Sequence, residues 1–295
     1  MTFTGKSILI TGAARGIGAE LARALARQGA TVGLVGLEPE RLATLAAELG
    51  PGHTWAEADV CDQGAVEAAT AQVARDLGGI DVIVANAGIA PIGTVRHVDP
   101  DAFARTVDIN LTGVFRTVQA ALPHVIERRG YILVISSIAA LMPMPTSAAY
   151  SASKAGAEGF ANALRWEVAH LGVDVGSAHP NWIDTDMVRD AEADLGSFEK
   201  LRGSLPWPAN SYTSPQECVR LLVAGIRRRK RKIFIPGNVL LVHLARVLIT
   251  GPLGHLFATR VISPQIPQLE REALDRGRSL SAVAEAQRLT NRPAD

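Results

Sequence analysis

The 295-residue sequence has little cysteine and no excess of charge of either sign. Cys61 and Cys218 belong to no CxxC or Cys/His cluster, so neither a disulfide framework nor a metal site is expected. Thirty Lys and Arg against 29 Asp and Glu give a formal net charge of +1, which offers no indication of a nucleic-acid partner. The low cysteine content fits a reducing compartment, and we expect a cytoplasmic protein.

Long hydrophobic runs are also absent from the sequence. The apolar run in the N-terminal stretch MTFTGKSILITGAARG is shorter than a signal peptide requires. The most apolar segment, 239–249, is much shorter than the ~20 residues that cross a bilayer and contains His243 and Arg246. We therefore expect no membrane span, although a hydrophobic content of 47% suffices for a sizeable core.

The sequence does contain an alternation of short β-rich runs with helix-like segments. Apolar residues recur at helical spacing in 19–28, 41–49 and 65–77. This order predicts an α/β fold, a doubly wound parallel sheet of the Rossmann type, in which ligands bind beyond the carboxyl ends of the strands. The predicted strands are SILIT (7–11), TVGLVG (31–36), HTWAEA (53–58), IDVIVA (80–85), YILVISS (131–137) and VDVGSA (173–178).

The turn after the first strand, TGAARGIG at 11–18, is rich in glycine. Gly12, Gly16 and Gly18 allow a tight turn and a close approach of backbone amides to a diphosphate at the positive end of the next helix. No Gly-Lys-Ser/Thr follows, which excludes a Walker A loop. The turn therefore predicts dinucleotide binding.

Tyr150 and Lys154 are four residues apart in a segment typical of a helix, so their side chains share one face. An ammonium roughly 4 Å from a phenol, at an effective dielectric constant of about 20, favours phenolate by about 4 kcal/mol, or about three pKa units. That shift brings a Tyr toward neutral pH, where proton transfer works best. Taken alone, the spacing favours an exposed Tyr beside a solvated Lys, and the neighbouring motifs reverse that preference.

Over about residues 5–235 the chain resembles the short-chain dehydrogenase/reductase family. The resemblance implies an NAD(P)-dependent oxidoreductase that transfers a hydride between the nicotinamide and a secondary alcohol or ketone. We also expect a small-molecule substrate and a homodimer or homotetramer. The matching motifs are TGAARGIG at 11–18, Asp59-Val60, Asn86-Ala87-Gly88, Asn110 within DINLTGVF, Ser137, and Tyr150 with Lys154.

The resemblance implies a role for each catalytic residue. Tyr150 is the general acid and base, Lys154 holds the nicotinamide ribose and lowers the pKa of Tyr150, and the Ser137 hydroxyl binds the substrate oxygen. Ser136 is out of that register. Asn110 helps to hold a water that connects Lys154 to solvent; alternatively, it is a buried polar residue that perturbs its own helix.

The resemblance also implies which residues bind the cofactor. Asp59 meets the adenine together with Val60, and a helix N-cap is the alternative role for Asp59. Asn86 ties neighbouring strands together beside the cofactor, and a simple turn is the alternative. In the loop HPNWIDT at 179–185, Asn181 replaces a usual Gly and is expected to adopt a positive φ. The implied contacts are Gly12, Arg15, Gly16, Ile17, Gly18, Gly36, Leu37, Glu38, Asp59, Val60, Asn86, Ala87, Gly88, Tyr150, Lys154, Pro180, Ile183 and Thr185.

The choice between NADP and NAD rests on the end of the second strand. Family members that prefer NAD usually carry an acid there, and members that prefer NADP often follow it with an Arg, but this chain has Gly36 and Leu37. Arg15 could pair with a 2′-phosphate. Glu38 could reach the ribose and disfavour NADP, or simply start a helix with Pro39. We expect NADP or NAD, with a slight preference for NADP.

Two segments depart from the family pattern. Residues 188–214 are rich in Gly, Pro and Ser but contain apolar residues, and we interpret them as a lid or as a surface excursion. We assign residues 1–237 to the dinucleotide-binding domain, with KIFIPG at 232–237 as its last strand, and 238–295 to a C-terminal extension, an apolar helix followed by a polar tail. Packing against the core or a partner subunit is the favoured role of that helix, and peripheral contact with an anionic membrane is a less favoured one.

Four residues suggest an apolar substrate cleft. They are Met142, Met144, Trp182 and Trp207, and core packing explains each of them equally well. A catalytically silent dinucleotide-binding regulator on the same fold is the alternative function.

Overall fold

The computed structural model describes residues 2–194 and 196–276. Its centre is a seven-stranded parallel sheet in the order β3-β2-β1-β4-β5-β6-β9, with a separate parallel pair, β7 and β8. The order reverses between β1 and β4, as in a doubly wound sheet, which confirms the predicted fold class. The strands are β1 Ser7–Thr11, β2 Thr31–Gly36, β3 Thr54–Glu57, β4 Val82–Ala85, β5 Tyr131–Ile135, β6 Asp174–Pro180, β7 Trp182–Ile183, β8 Tyr212–Thr213 and β9 Lys232–Ile235.

Helices cover both faces of the sheet because successive strand residues point to opposite sides. Ile8 and Ile10 of β1 pack with α1, α2 and α9, whereas Leu9 packs with α3, α5 and α6. The helices are α1 Gly16–Ala26, α2 Pro39–Leu49, α3 Gln63–Leu77, α4 Pro100–Val107, α5 Gly113–Glu127, α6 Ala148–Val168, α7 Asp186–Asp194, α8 Phe198–Gly203, α9 Pro215–Arg227, α10 Val239–Thr250, α11 Pro252–Phe257 and α12 Ile266–Arg276.

The predicted strands all form, β1 and β2 with the predicted bounds and the others with shifted ends. β5 stops at Ile135 rather than 137 because the Ser137 side chain caps a following 3₁₀ turn, where its Oγ accepts a hydrogen bond from the Ala139 amide at 3.1 Å. β6 runs on to Pro180, two residues beyond its predicted end, because β9 pairs with it there. The two-residue strands β7 and β8 were not predicted, because two residues are too few to show an alternating pattern.

The expected lid and the C-terminal extension share a third apolar cluster, here called the outer core. Residues 198–203 form a helix rather than an irregular excursion, and Phe198 and Leu201 are buried against Val239 and Val242 of α10. Leu195 and residues 277–295, which we assigned to the lid and the polar tail, lie outside the described residues. The outer core contains Ile92, Ile138, Leu141, Met142, Met144, Phe198, Leu201, Leu205, Ala209, Val239, Val242, Ile262 and Leu269.

Taken singly, none of the helices within the described residues has the length and apolar character to cross a bilayer. Val239–Thr250 and Pro252–Asp275 meet the length and composition criteria only as a pair, and the chain bends by 84° between them.

Candidate active site

A cavity of about 280 Å³ opens at the carboxyl ends of the central strands, where the fold predicts a ligand site. Every predicted cofactor-binding residue lines it except Gly18. Twelve further residues, none of them predicted as a cofactor contact, also line it: Ala14, Ala58, Ile89, Ala90, Ile109, Ile135, Ser136, Asn181, Asp186, Met187, Val188 and Asp190.

The glycine-rich turn is shaped by close backbone contacts. Gly12 has φ +63°, and a Cβ on it would lie 2.7 Å from the Ala87 Cα. Gly18 does not line the cavity because it faces the turn itself, where a Cβ would lie 2.3 Å from the Gly12 carbonyl oxygen. Gly18 therefore lets α1 pack against the turn.

The first turn of α1 suits an anion. Its N-cap residue, Arg15, makes no side-chain hydrogen bond to the helix, and the first turn has no acidic residue. Backbone amides at a helix start attract negative charge, and these amides carry no side-chain cap. At Gly16, with φ +56°, a Cβ would meet no atom within 4 Å, so the backbone is open on that side. The turn therefore fits the diphosphate of a dinucleotide.

Asp59 is held at the cavity wall by groups from its own turn and from α4. Its carboxylate accepts hydrogen bonds from the Cys61 amide and the Arg105 guanidinium, both at 2.9 Å. Burial alone would raise the pKa of Asp59, but these two bonds outweigh it and hold the pKa below its usual value. The alternative role as N-cap is wrong, because Asp62 caps α3 by accepting from the Ala65 amide.

Arg15 and Glu38 pair with each other across the end of β2. The Arg15 Nε donates to one carboxylate oxygen of Glu38 at 2.8 Å, and a second guanidinium nitrogen donates to the other oxygen. Glu38 is the N-cap of α2 and Pro39 its first residue, so the predicted helix start is present. The Glu38 side chain makes no cap bond and points to Arg15 instead.

Three of the four predicted catalytic side chains, Ser137, Tyr150 and Lys154, line the cavity together. Ser137 and Lys154 are buried and Tyr150 is half-buried near the start of α6. The Lys154 Nζ lies 5.7 Å from the centre of the Tyr150 ring and donates to the Ile135 carbonyl at 2.8 Å. The Ser136 hydroxyl donates to the Lys154 carbonyl at 2.9 Å and so anchors α6.

Burial governs the pKa values of this group. It raises the pKa of Tyr150, and a hydrogen bond with Ser137 lowers it by less. Burial also lowers the pKa of Lys154 to about 8. We expected Lys154 to lower the pKa of Tyr150, but burial has the larger effect on that pKa. Both groups are desolvated, and the Lys154 ammonium donates to the Ile135 carbonyl.

Asn110 lies just behind the catalytic group and is fully buried. Its side chain accepts from the Ile89 amide and donates to the Ile89 carbonyl, both at 2.8 Å, and donates to the Ser153 hydroxyl at 3.0 Å. The helix is π-type at Asp108–Thr112, which fits the alternative of a polar residue that perturbs its own helix. A Cβ on Gly88 would lie 3.1 Å from the Asn110 Oδ1 and 3.3 Å from the Lys154 Nζ, so glycine keeps these two groups in reach of each other.

The loops around the cavity correct one expectation and agree with another. Asn181 does not adopt a positive φ; its side chain instead donates to the Ser211 carbonyl at 2.6 Å and joins the loop to the segment before β8. Asn86 does tie strands together, because its amide donates to the Thr11 and Gly12 carbonyls at 3.0 and 3.1 Å. Thr185 bonds back to the Ile183 carbonyl.

The four residues expected to form an apolar cleft do not line this cavity. Met142 and Met144 are buried in the outer core, as the alternative of core packing predicts. Trp182 donates from its indole nitrogen to the Ala209 carbonyl at 2.7 Å, and Trp207 is 64% exposed. Met187 and Val188 of α7 contribute apolar wall instead.

Comparison with known proteins gives matches over most of the chain. A family model described as short chain dehydrogenase matches residues 6–196. The chain is 36% identical over 206 residues to 2,3-dihydro-2,3-dihydroxybenzoate dehydrogenase of Bacillus subtilis (strain 168), which covers 68% of this chain and 79% of that protein. It is 38% identical over 189 residues to oxidoreductase UcpA of Escherichia coli (strain K12), or 62% of this chain and 72% of that protein.

A bovine relative matches a longer part of the chain. Dehydrogenase/reductase SDR family member 7B of Bos taurus is 31% identical over 265 residues, 86% of this chain and 80% of that protein. This coverage exceeds residues 1–237, so the similarity reaches into the C-terminal extension. The chain belongs to the short-chain dehydrogenase/reductase family of oxidoreductases.

Proposed function

We propose that the protein is an NAD(P)-dependent enzyme that transfers a hydride between the nicotinamide and a hydrophobic secondary alcohol or ketone. One observation carries the proposal: Ser137, Tyr150 and Lys154 line the same cavity that the glycine-rich turn opens. Membership of a family of oxidoreductases supports the same reaction class. The apolar wall at Met187 and Val188 supports an apolar substrate.

Different residues of the chain would bind different parts of the cofactor. The start of α1 would hold the diphosphate, Asp59 and Val60 the adenine, and Ile183 and Thr185 the nicotinamide amide. Lys154 would hold the ribose hydroxyls. The nicotinamide, when bound, supplies or accepts the hydride.

Proton transfer falls to Tyr150. Its hydroxyl gives a proton to the substrate oxygen during reduction and takes one from the alcohol during oxidation. The Ser137 hydroxyl donates a hydrogen bond to the same oxygen and stabilises the charge that develops on it. Asn110 holds the Ile89 backbone and Ser153 in place behind Lys154, on the route by which we expect protons to reach solvent.

The pair formed by Arg15 and Glu38 leads us to propose NAD rather than NADP as the preferred cofactor. The Glu38 carboxylate can still accept from ribose hydroxyls, whereas the Arg15 guanidinium, already bound by Glu38, is not free to pair with a 2′-phosphate. This reverses the slight preference for NADP that Arg15 alone suggested.

The proposed reaction is tested with purified protein, NADH, NADPH and a panel of apolar ketones and secondary alcohols. We expect fluorescence titration to show binding of a reduced cofactor and Tyr150→Phe to lower kcat by about 10²–10⁴-fold while binding persists. Tyr212→Phe, at a partly exposed tyrosine outside the cavity, is the matched control. Cofactor binding without turnover, and without a difference between wild type and Tyr150→Phe, would favour the silent regulator.

We also propose a homodimer or homotetramer. Phe115 of α5 and Trp166 of α6 are 42% and 82% exposed, and large apolar side chains in such positions support a subunit contact. Light scattering of the wild type and of Trp166→Glu tests the assignment.

A further inference from the structure

The extension presents an apolar surface to solvent, here called the apolar ridge. Val239 and Val242 are the buried face of α10, and the opposite face and α11 are exposed. Leu244 and Val247 are 70% and 75% exposed, far more than a core helix allows. The apolar ridge consists of Leu240, Leu241, Leu244, Val247, Leu248, Leu253, Leu256 and Phe257.

A glycine makes the apolar ridge compact. α11 packs against the end of α10 after the bend, and a Cβ on Gly254 would lie 1.7 Å from the Ile249 carbonyl oxygen. Because only glycine permits this approach, the two helices meet directly at the bend. Large contiguous apolar patches of this kind mark interaction sites on proteins.

The charged residues of the ridge segment itself have one sign. Between Glu217 and Glu270 the sequence contains no Asp or Glu, while Arg and Lys recur throughout that stretch. Arg246 of α10 and Arg260, just after α11, are exposed beside the ridge. Long basic side chains at the edge of an apolar helix face suit an anionic lipid surface, because the apolar face enters the headgroup region while the cations remain at its level.

We propose that the apolar ridge docks on the surface of an anionic lipid bilayer, with α10 lying in the interface. A second copy of the chain is the less suitable occupant. A two-fold contact places the same patch against itself, and the ridge segment of a second copy would offer Arg246 and Arg260 no carboxylate as a partner. Phosphate headgroups supply the missing negative charge.

The proposal is tested by flotation of the full chain with vesicles of phosphatidylcholine alone and of seven parts phosphatidylcholine to three parts phosphatidylglycerol. We expect flotation with the mixed vesicles, weaker flotation with the neutral ones, and a decrease with added salt. Leu244→Glu with Val247→Glu should lower the partition coefficient about tenfold or more for both. Arg246→Gln with Arg260→Gln should lower it for the mixed vesicles only.

Val95→Glu with Leu274→Glu is the matched control, since it places the same two charges at exposed apolar residues outside α10 and α11. It should leave flotation unchanged, and circular dichroism should show that each variant retains its fold. The proposal fails if the wild type does not float with mixed vesicles, or if the ridge variants float as well as the wild type. A dimer that Leu244→Glu dissociates, in a protein that does not float, would assign the ridge to a second copy instead.

Discussion

Lys154 shows how the chemistry of one residue opposes the stability of the fold. Only 3% of it is exposed, and its Nζ donates to the Ile135 carbonyl rather than to a carboxylate. Burial disfavours the ammonium and lowers the pKa from 10.5 to about 8. Because the folded pKa lies below the unfolded one, the folded state is destabilised at every pH below about 8, and the penalty fades as the pH rises from 8 to 10.5.

Replacement of this lysine by methionine should therefore stabilise the protein while removing activity. The shift corresponds to about 3 kcal/mol, and the lost contact with Ile135 offsets part of it, so we expect Lys154→Met to raise the free energy of unfolding at pH 7 by about 1–2 kcal/mol. Urea unfolding at pH 7 and pH 10 checks this, and the gain should shrink at pH 10. Lys200→Met, at an exposed lysine, is the control. A less stable Lys154→Met protein would contradict the argument.

Glu38 is the residue that we expect to set cofactor choice. Glu38→Gln removes the charge that opposes a 2′-phosphate and leaves Arg15 free to bind it. The ratio of NADPH to NADH affinity should rise about tenfold, which fluorescence titration measures directly. Glu40→Gln, an exposed acid in the first turn of the same helix, should leave the ratio unchanged. An equal gain in both variants would mean that general charge, not the pair, determines selectivity.

At the scale of elements, α12 connects the segment before α8 with the loop after β4. Glu272 accepts from the Ser197 amide at 3.0 Å and from the Ser197 hydroxyl at 2.7 Å, just before α8. Glu270 accepts from the Thr94 hydroxyl at 2.8 Å in the loop after β4. These bonds join the extension to the expected lid and to the dinucleotide-binding domain, to which we assign residues 1–237. We propose that α12 determines how readily the lid opens.

Glu272→Gln should loosen the lid. It weakens two hydrogen bonds that charge assists, so hydrogen exchange of 197–203 should quicken about tenfold, and KM should rise more than kcat changes. Exchange measured by mass spectrometry, together with steady-state kinetics, checks both. Glu199→Gln of α8, whose side chain is 78% exposed, is the control. Unchanged protection of 197–203 would show that packing of the outer core alone holds the lid.

The sequence predicted these elements unevenly, for physical reasons. β1 is buried along its whole length and α1 buries one face, so composition and period identified both. The bond between Asp59 and Arg105 joins residues 46 positions apart and has no local pattern. Likewise, nothing in the spacing of Met142 or Met144 distinguishes cleft from core, because that depends on how the extension packs against them.

At the scale of the whole molecule, a buried polar network joins β6, α6 and β9. His179 is fully buried, with its Nε2 3.1 Å from the Ser177 Oγ and 3.9 Å from a Glu158 oxygen, and Glu158 pairs with Lys232. Burial is the main cause that lowers the pKa of His179 to about 4; Lys232 and His243 add to it, and Glu158 opposes it. The His179 Nδ1 also lies 3.4 Å from the Ser137 carbonyl, so the network adjoins the catalytic group.

This histidine should make global stability fall in mild acid. The unfolded chain takes up a proton near pH 6.5, which the folded protein resists until about pH 4, so stability is lost as the pH falls between these values, by up to about 3 kcal/mol. Urea unfolding of the wild type between pH 7 and 4.5 should show this slope, and His179→Asn should flatten it even though it is less stable at pH 7. His170→Asn, at an exposed histidine, should keep it. An equal slope in His179→Asn would assign the acid sensitivity to Glu158 and the other carboxylates, because Glu158 also has a lowered pKa and loses its stabilising charge in acid.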